Sequence, residues 1–496
     1  MVSAPRAQSQ VVADSRDASG RLEDWRHRTF WILVVLAVSS PLLFALLVSI
    51  WKTPYPINET VAILEDVQRA TSSISFFDPT ARSWYRPLYF LTWDWLWHGT
   101  GSLDTALSLF KMIEVTAPLA LVVLFIWQLR PRSLLEGAAA WCAVAVLIGT
   151  PGFRDNLEVP LLMTLVAMPL ALIVWMLLTR APRVWHGPTI VLLTLIAIGY
   201  KEQGLVIAPV VVIAWWTRAP GAGNRLTAAV VAMTVAYLVF RVSYSANWPI
   251  FEQSVGFGFQ TLGQNEALAR FGAFPYGIYL YNAMSTISNV LFSEPTSGVF
   301  VIARDAAYWQ VQPWEVLHVV SSVTLTATIA WWARRVIPGL GRHGWTPDSR
   351  VALAFIISLL ASGALSYLYS RDRLDGMAAV FYALASYAAI RALAEHASRA
   401  EGLTARRVTV AASLLAVMAL TWHVRAVGTL EWNRRMSESN YVRWLTQLED
   451  RRLRFAGRDV YLGIMSHMAP QATAPDSARP TDYPDFVQRT LAPPMP

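Results

Sequence analysis

Cysteine is almost missing from this chain: Cys142 is the single one in 496 residues. That excludes an intrachain disulfide and leaves no thiolate set for a metal. Charge is scarce as well. Asp, Glu, Lys and Arg make up 15% of the residues against 55% hydrophobic ones, whereas a soluble domain carries about 25% charged residues. No HExxH helix occurs, which removes the zinc-hydrolase motif, and no Gly-rich phosphate loop of Walker or dinucleotide type is present. There is no internal repeat.

What the chain has instead is a series of long apolar runs. Each membrane crossing takes about 20 residues, so most of the length is used in spans, and one membrane domain with a short tail is the simplest division. The net charge of +8 does not indicate nucleic acid, because the arginines stand between apolar segments and in the tail. Topology and anionic lipid headgroups account for them. Arg16, Arg21, Arg26 and Arg28 lead into FWILVVLAVSSPLLFALLVSI, too long for a signal-peptide core, so a retained first helix with a cytoplasmic amino end is expected.

Apolar segments run at 30–50, 105–127, 134–149, 159–178, 188–199, 205–216, 226–244, 316–332, 351–369, 374–393 and 408–424, about eleven in all. The pair 188–199 and 205–216 is interrupted by YKEQG, and the arginines on either side predict two crossings rather than one broken one. Arg and Lys are dense in alternate loops, which places the amino end inside and the carboxyl end outside. A Gly- and aromatic-rich segment, 245–313, holds an apolar stretch that could dip to the membrane or line a groove. In the tail, 433–458 reads as one amphipathic helix on the outer membrane surface, followed by a stretch rich in Pro and Ala.

The loop after the first span, 51–101, carries four acids, Glu59, Glu65, Asp66 and Asp78, before the aromatic run WYRPLYFLTWDWLW. Asn58 and Glu59 lie at the rim of the outer face, where a carboxylate can act as a general base or be a solvated loop acid. Asp66 falls on the same helical face as Glu59 and is a second-choice base or helper. Together Glu59, Glu65, Asp66 and Asp78 could offer oxygen ligands to a weakly held divalent cation; no dedicated metal site and no cofactor are expected. The aromatic run reads as an interfacial helix. Arg86 at its start could bind a phosphate or carboxylate, and Asp94 inside it pairs with a base or faces a cavity. His98 reads as a surface histidine.

Arg154, Asp155 and Glu158 form a local charge group in the second outer loop. Lys201 and Glu202, between two apolar segments, should line the bundle interior or its mouth, with the lysine able to neutralise a phosphate. Arg371 and Arg373 in SYLYSRDR stand at another outer rim, where guanidinia either grip a phosphate leaving group or snorkel.

NETVAILEDV after the first helix, YRPL, YKEQGLVIAPV and SYLYSRDR together resemble the integral-membrane glycosyltransferases of the GT-C type, in the branch of protein O-mannosyltransferases and bacterial relatives that use polyprenyl-phosphate sugars. The likeness covers most of 30–424. It implies an all-α polytopic membrane protein, a GT-C helical bundle of about 11 transmembrane helices with interfacial helices in the first outer loop. The implied division is a cytoplasmic segment 1–29, a transferase domain 30–427 and an extracytoplasmic tail 428–496, in a bacterial inner membrane. It further implies sugar transfer from a polyprenyl-phosphate donor to an acceptor hydroxyl on protein, glycan or lipid, with inversion. Glu59 would be the base, and Lys201 with Arg371 or Arg373 would stabilise the departing phosphate. The family usually presents two acids in this loop; here Asn58 takes the place of the first. A flippase of lipid-linked saccharide and a lipid-linked glycan polymerase or ligase are the competing readings.

Overall fold

A computed structural model describes residues 6–53, 63–64, 66–67, 70, 72–78, 85–158, 164–244, 254–257, 260–271, 276–292, 306–337, 344–368, 375–399 and 405–449. The chain is a helical bundle. In order come α1 (Arg6–Lys52), a 3-10 turn (Ser73–Phe77), α2 (Pro87–Thr100), α3 (Leu103–Leu129), α4 (Leu134–Gly149), α5 (Pro151–Glu158), α6 (Thr164–Leu178), α7 (His186–Tyr200), a second 3-10 turn (Glu202–Val206) and α8 (Ile207–Trp216). Then follow α9 (Asn224–Tyr244), a hairpin of β1 (Ser254–Phe257) and β2 (Gln260–Gly263), α10 (Gln264–Phe271), α11 (Tyr276–Phe292), α12 (Pro313–Val336), α13 (Pro347–Leu365), α14 (Gly376–Arg399) and α15 (Ala405–Glu449). The antiparallel hairpin is the one sheet among the described residues, a small departure from the all-α expectation.

Local chemistry sets the helix starts. Ser102 and Ser133 accept N–H bonds from Thr105 and Glu136, capping α3 and α4. Thr346 and Ser349 exchange bonds at the start of α13, with Pro347 in the first position. Six helices are long and apolar enough to cross a membrane among the described residues: His27–Lys52, Leu103–Leu129, Glu315–Val336, Pro347–Leu365, Gly376–Ala397 and Ser413–Ser439. Others that sequence reads as spans are shorter apolar helices, including Leu134–Gly149 and His186–Tyr200. The bundle is therefore multi-span, with six helices of full crossing length rather than eleven.

α4 and α14 form its centre. Every residue from 375 to 390 is buried, as is every residue from 142 to 149. Both stretches are rich in Ala, and small side chains let helix backbones approach closely where lipid offers no hydrophobic drive to association. Gly137 of α4 meets the Trp31 ring of α1, and Gly149 meets Trp422 of α15, at 3.3 Å from an added Cβ in each case.

The helix ends sort into two groups. At one end, His27 Nε2 lies 2.8 Å from the Arg132 carbonyl, Gly221 N–H donates to the Leu178 carbonyl at 2.8 Å, and the Arg350 guanidinium donates to the Thr217 and Arg218 carbonyls. There too Arg391 pairs with Asp348 and the Trp331 ring faces His396. The arginines expected on one side of the membrane thus gather at one arginine-rich end. Because residues 178 and 221 meet there, the chain between them goes out and back through α7 and α8, two apolar helices shorter than a full crossing. At the opposite, loop end, Ser49 Oγ donates to the Leu430 carbonyl, so the first and last helices run parallel.

Three boundaries differ from the expectations. The last span and the tail helix expected at 433–458 are one 45-residue helix, α15, so its polar part continues the span instead of forming a separate surface helix; 450–496 lie outside the described residues. α1 likewise begins at Arg6, within the expected cytoplasmic segment. The second outer loop is helical and packed inward as α5, with Phe153, Arg154, Asn156 and Leu157 buried.

Candidate functional site at the loop end

The site is built on the break between α7 and α8. α7 ends where Lys201 takes an extended conformation (φ −159°, ψ 145°), and the chain turns through Glu202–Val206. Gly204 is required there: a Cβ on it would overlap the backbone of Ala197. Its N–H donates to the Lys201 carbonyl at 2.9 Å, which closes the turn. Gly199, one turn earlier, receives Leu88 of α2 so closely that a Cβ would stand 2.7 Å from it. Thr92 and the Tyr200 hydroxyl, 2.9 Å apart, add a polar tie between α2 and α7.

That crossing brings Arg86, the residue before Pro87, onto Glu202. Its guanidinium donates to both carboxylate oxygens, at 2.9 and 3.3 Å, a forked pairing with the geometry that Arg and carboxylate share. Arg241, in the last turn of α9, stands 3.9 Å from the same carboxylate and donates to the Tyr237 hydroxyl at 2.9 Å. Tyr85 packs its ring against Tyr237 and Phe240. Burial, then Tyr237, push the Tyr85 hydroxyl above its ordinary pKa against the pull of Arg241. Lys201 is 1% exposed and within electrostatic reach of Glu202. Three cationic side chains therefore surround one carboxylate, in a place lined on one side by aromatic rings.

Asp94 is half a helix away and engaged elsewhere. It is buried and accepts from Ser73 Oγ at 2.6 Å, while His98 Nδ1 stands 2.8 Å from its other oxygen. This resolves the choice left open for Asp94: it pins the 3-10 turn of the first loop to α2, and His98 is exposed as expected. Asp66 is half-buried beside Val67, which packs with Phe76, Phe90 and Trp93. Arg154, expected in a local charge group of the second outer loop, is 2% exposed, and its carbonyl accepts from Asn433 of α15. Asn58, Glu59, Glu65, Arg371 and Arg373 lie outside the described residues. Among the described residues no three His, Cys, Asp or Glu side chains converge as a metal set.

Sequence reasoning missed two features. Arg241 closes an otherwise apolar helix at its loop end, the same anomaly that drew attention to Arg371, and it passed unremarked inside the seventh span. Lys111 and Glu114 sit within α3, 3.2 Å apart, and Lys111 Nζ donates to the carbonyls of Ile50 and Thr53 at 3.2 and 2.9 Å. Two opposite charges at i and i+3 in an apolar helix are rare enough to be a signal. They fix the point where the first loop leaves α1. Of the buried acids and bases among the described residues, Asp94, Lys111, Arg154, Lys201, Asp375 and Arg425 lie toward this end, whereas His186 lies at the arginine-rich end. No known protein family, curated protein or solved structure matches the chain.

Proposed function

We propose that the chain is a membrane glycosyltransferase that moves a sugar from a polyprenyl-phosphate donor to an acceptor hydroxyl at the loop end, which this reading places outside the cytoplasm. The observation that carries it is the meeting of Arg86 with Glu202 across 116 residues, joining the YRPL and YKEQG stretches in one cationic cluster beside Lys201 and Arg241. Forked guanidinia and an ammonium suit a phosphate leaving group. Glu202 takes up the Nε and one terminal nitrogen of Arg86 and so orients this guanidinium, while the direct phosphate contact is assigned to Lys201.

In this mechanism the Glu59 carboxylate takes the acceptor hydroxyl proton. The acceptor oxygen attacks the anomeric carbon from the face opposite the phosphate, and the bond from that carbon to the phosphate oxygen breaks. Its electron pair leaves with polyprenyl phosphate, whose developing charge Lys201 and the neighbouring guanidinia stabilise. Arg371 and Arg373 are assigned to the same phosphate.

The gathering of buried charge toward one end favours chemistry at one face over a charge path through both leaflets, which translocation of the lipid would require. The test is a transfer assay on the purified chain with a panel of polyprenyl-phosphate sugars, the product linkage being read by mass spectrometry and NMR. Glu59→Gln should abolish transfer while donor binding persists. Retained transfer would sink the base assignment, and movement of the lipid across proteoliposomes without a new glycosidic bond would replace the transferase reading.

A further inference from the structure

At the arginine-rich end, three chain segments bring guanidinia together. Arg28 comes from α1. Arg130 caps α3 with φ 48°, a left-handed conformation that turns the chain sharply there. Arg180 stands two residues past the end of α6. The 2.8 Å contact of His27 with the Arg132 carbonyl ties α1 to the α3–α4 turn. Burial first, and then Arg180, Arg28 and Arg132, hold the Arg130 guanidinium below its usual range, so these groups repel one another. Arg180 and Arg183 also act on the His186 ring.

Arg180 presents a further sign. Its Nε and one terminal nitrogen are buried without a hydrogen-bond partner among the described residues, a cost that an anion would remove. Large apolar side chains stand exposed beside the cluster: Trp127 at 44%, Val184 at 99% and Trp185 at 50%. An indole at headgroup depth next to arginines is a lipid-facing arrangement. A soluble anion would have no use for it.

We propose that the cluster of Arg28, Arg130 and Arg180 is a binding site for the phosphate of an anionic phospholipid, whose acyl chains lie along Trp127, Val184 and Trp185. The site is at the opposite end of the bundle from the proposed transfer site and does not depend on it. Its ligand chemistry is a phosphate ester, and the lipid source is chosen for the apolar flank.

Native mass spectrometry of the full chain released from micelles tests this, with phosphatidylglycerol and phosphatidylcholine of matched chains, and with millimolar inorganic phosphate as a third arm. The wild-type chain should keep phosphatidylglycerol under activation that strips phosphatidylcholine. Arg130→Gln/Arg180→Gln should cut phosphatidylglycerol occupancy about tenfold or more, at about 1 kcal/mol for each basic residue. Arg225→Gln/Arg334→Gln, which removes the same charge from exposed positions elsewhere on this end, should leave it unchanged. If the first variant does not elute as a folded species, Arg130→Lys/Arg180→Lys takes its place, keeping charge but losing the forked donors, and should still weaken retention. Equal retention of the two lipids, equal loss in the control variant, or variant-sensitive binding of inorganic phosphate without phosphatidylglycerol would each overturn the proposal.

Discussion

Arg86 and Glu202 meet through two hydrogen bonds although a hundred residues and more of chain separate them. Their side chains remain 13% and 17% exposed, so removing one partner should cost less than in a dry interior. Glu202→Gln is expected to lower stability by about 2 kcal/mol, below the range of about 3–5 kcal/mol for breaking a fully buried pair. In a double-mutant cycle by thermal unfolding in micelles, Arg86→Gln/Glu202→Gln should lose less than the sum of the single variants. Strict additivity would mean that the pair is not coupled.

Lys201 carries the proposed phosphate contact from the cap between α7 and the 3-10 turn, where its N–H donates to the Ala197 carbonyl at 3.0 Å. Lys201→Gln should reduce sugar transfer per folded molecule by about a hundredfold, the scale of one lost donor to a developing negative charge, beyond any loss that its lowered melting temperature accounts for. Unchanged transfer would remove Lys201 from the reaction.

Lys111 and Glu114 make a stability test independent of activity. Lys111→Met strands a buried carboxylate and releases the Ile50 and Thr53 carbonyls, so stability should fall by about 3 kcal/mol. Lys111→Met/Glu114→Leu removes the stranded charge and should recover much of the loss. Limited proteolysis gives a second readout: cleavage within 54–62 should speed up in both variants if Lys111 anchors the loop exit.

Asp94→Ala should free the 3-10 turn Ser73–Phe77 from α2, since both the Ser73 and His98 contacts end on this carboxylate. The loss is about 1.5–3 kcal/mol, the scale of a hydrogen bond to a charged group. Hydrogen exchange of the peptide covering 73–77 should quicken while that of α4 stays protected. Equal quickening in both would point to general unfolding.

Gly204→Ala places a methyl group against the Ala197 backbone, where no side chain can move aside. The turn holding Lys201 and Glu202 must then open. Gly187→Ala, a position with open space around it, is the matched control and should express and melt normally.

The apolar runs were legible because length against bilayer thickness is a local property: 105–127 reappears within α3, and α13 takes up 351–365 of the expected 351–369. Helix ends were legible where an apolar run stops sharply, as at both ends of 134–149, but not where polar residues continue the helix. The change from apolar to charged residues near 430 marks where α15 leaves the core, but the backbone hydrogen bonds continue through it, because Glu431, Arg434, Arg435 and Glu438 pair along the helix at i,i+3 and i,i+4 spacing. Polar composition alone also made a loop of α5, whose burial comes from α14 and α15 packing over it. At the site, Lys201 and Glu202 stood out as charges between apolar segments. Their partners did not, since Arg241 and Arg86 reach Glu202 only through the packing of α2 and α9 against α7, which no single stretch of sequence encodes.

The parallel placement of α1 and α15, joined by Ser49 and Leu430, bears on how the protein is made. α1 finds one of its neighbours only when α15, much later in the chain, is synthesised. Until then the face of α4 that receives Trp422 and Ala426 at Gly149 has lipid against it. Completion of the bundle is therefore a late event, and a chain stopped before residue 405 would be a membrane-inserted intermediate with its central helix uncovered, a natural substrate for quality-control proteolysis.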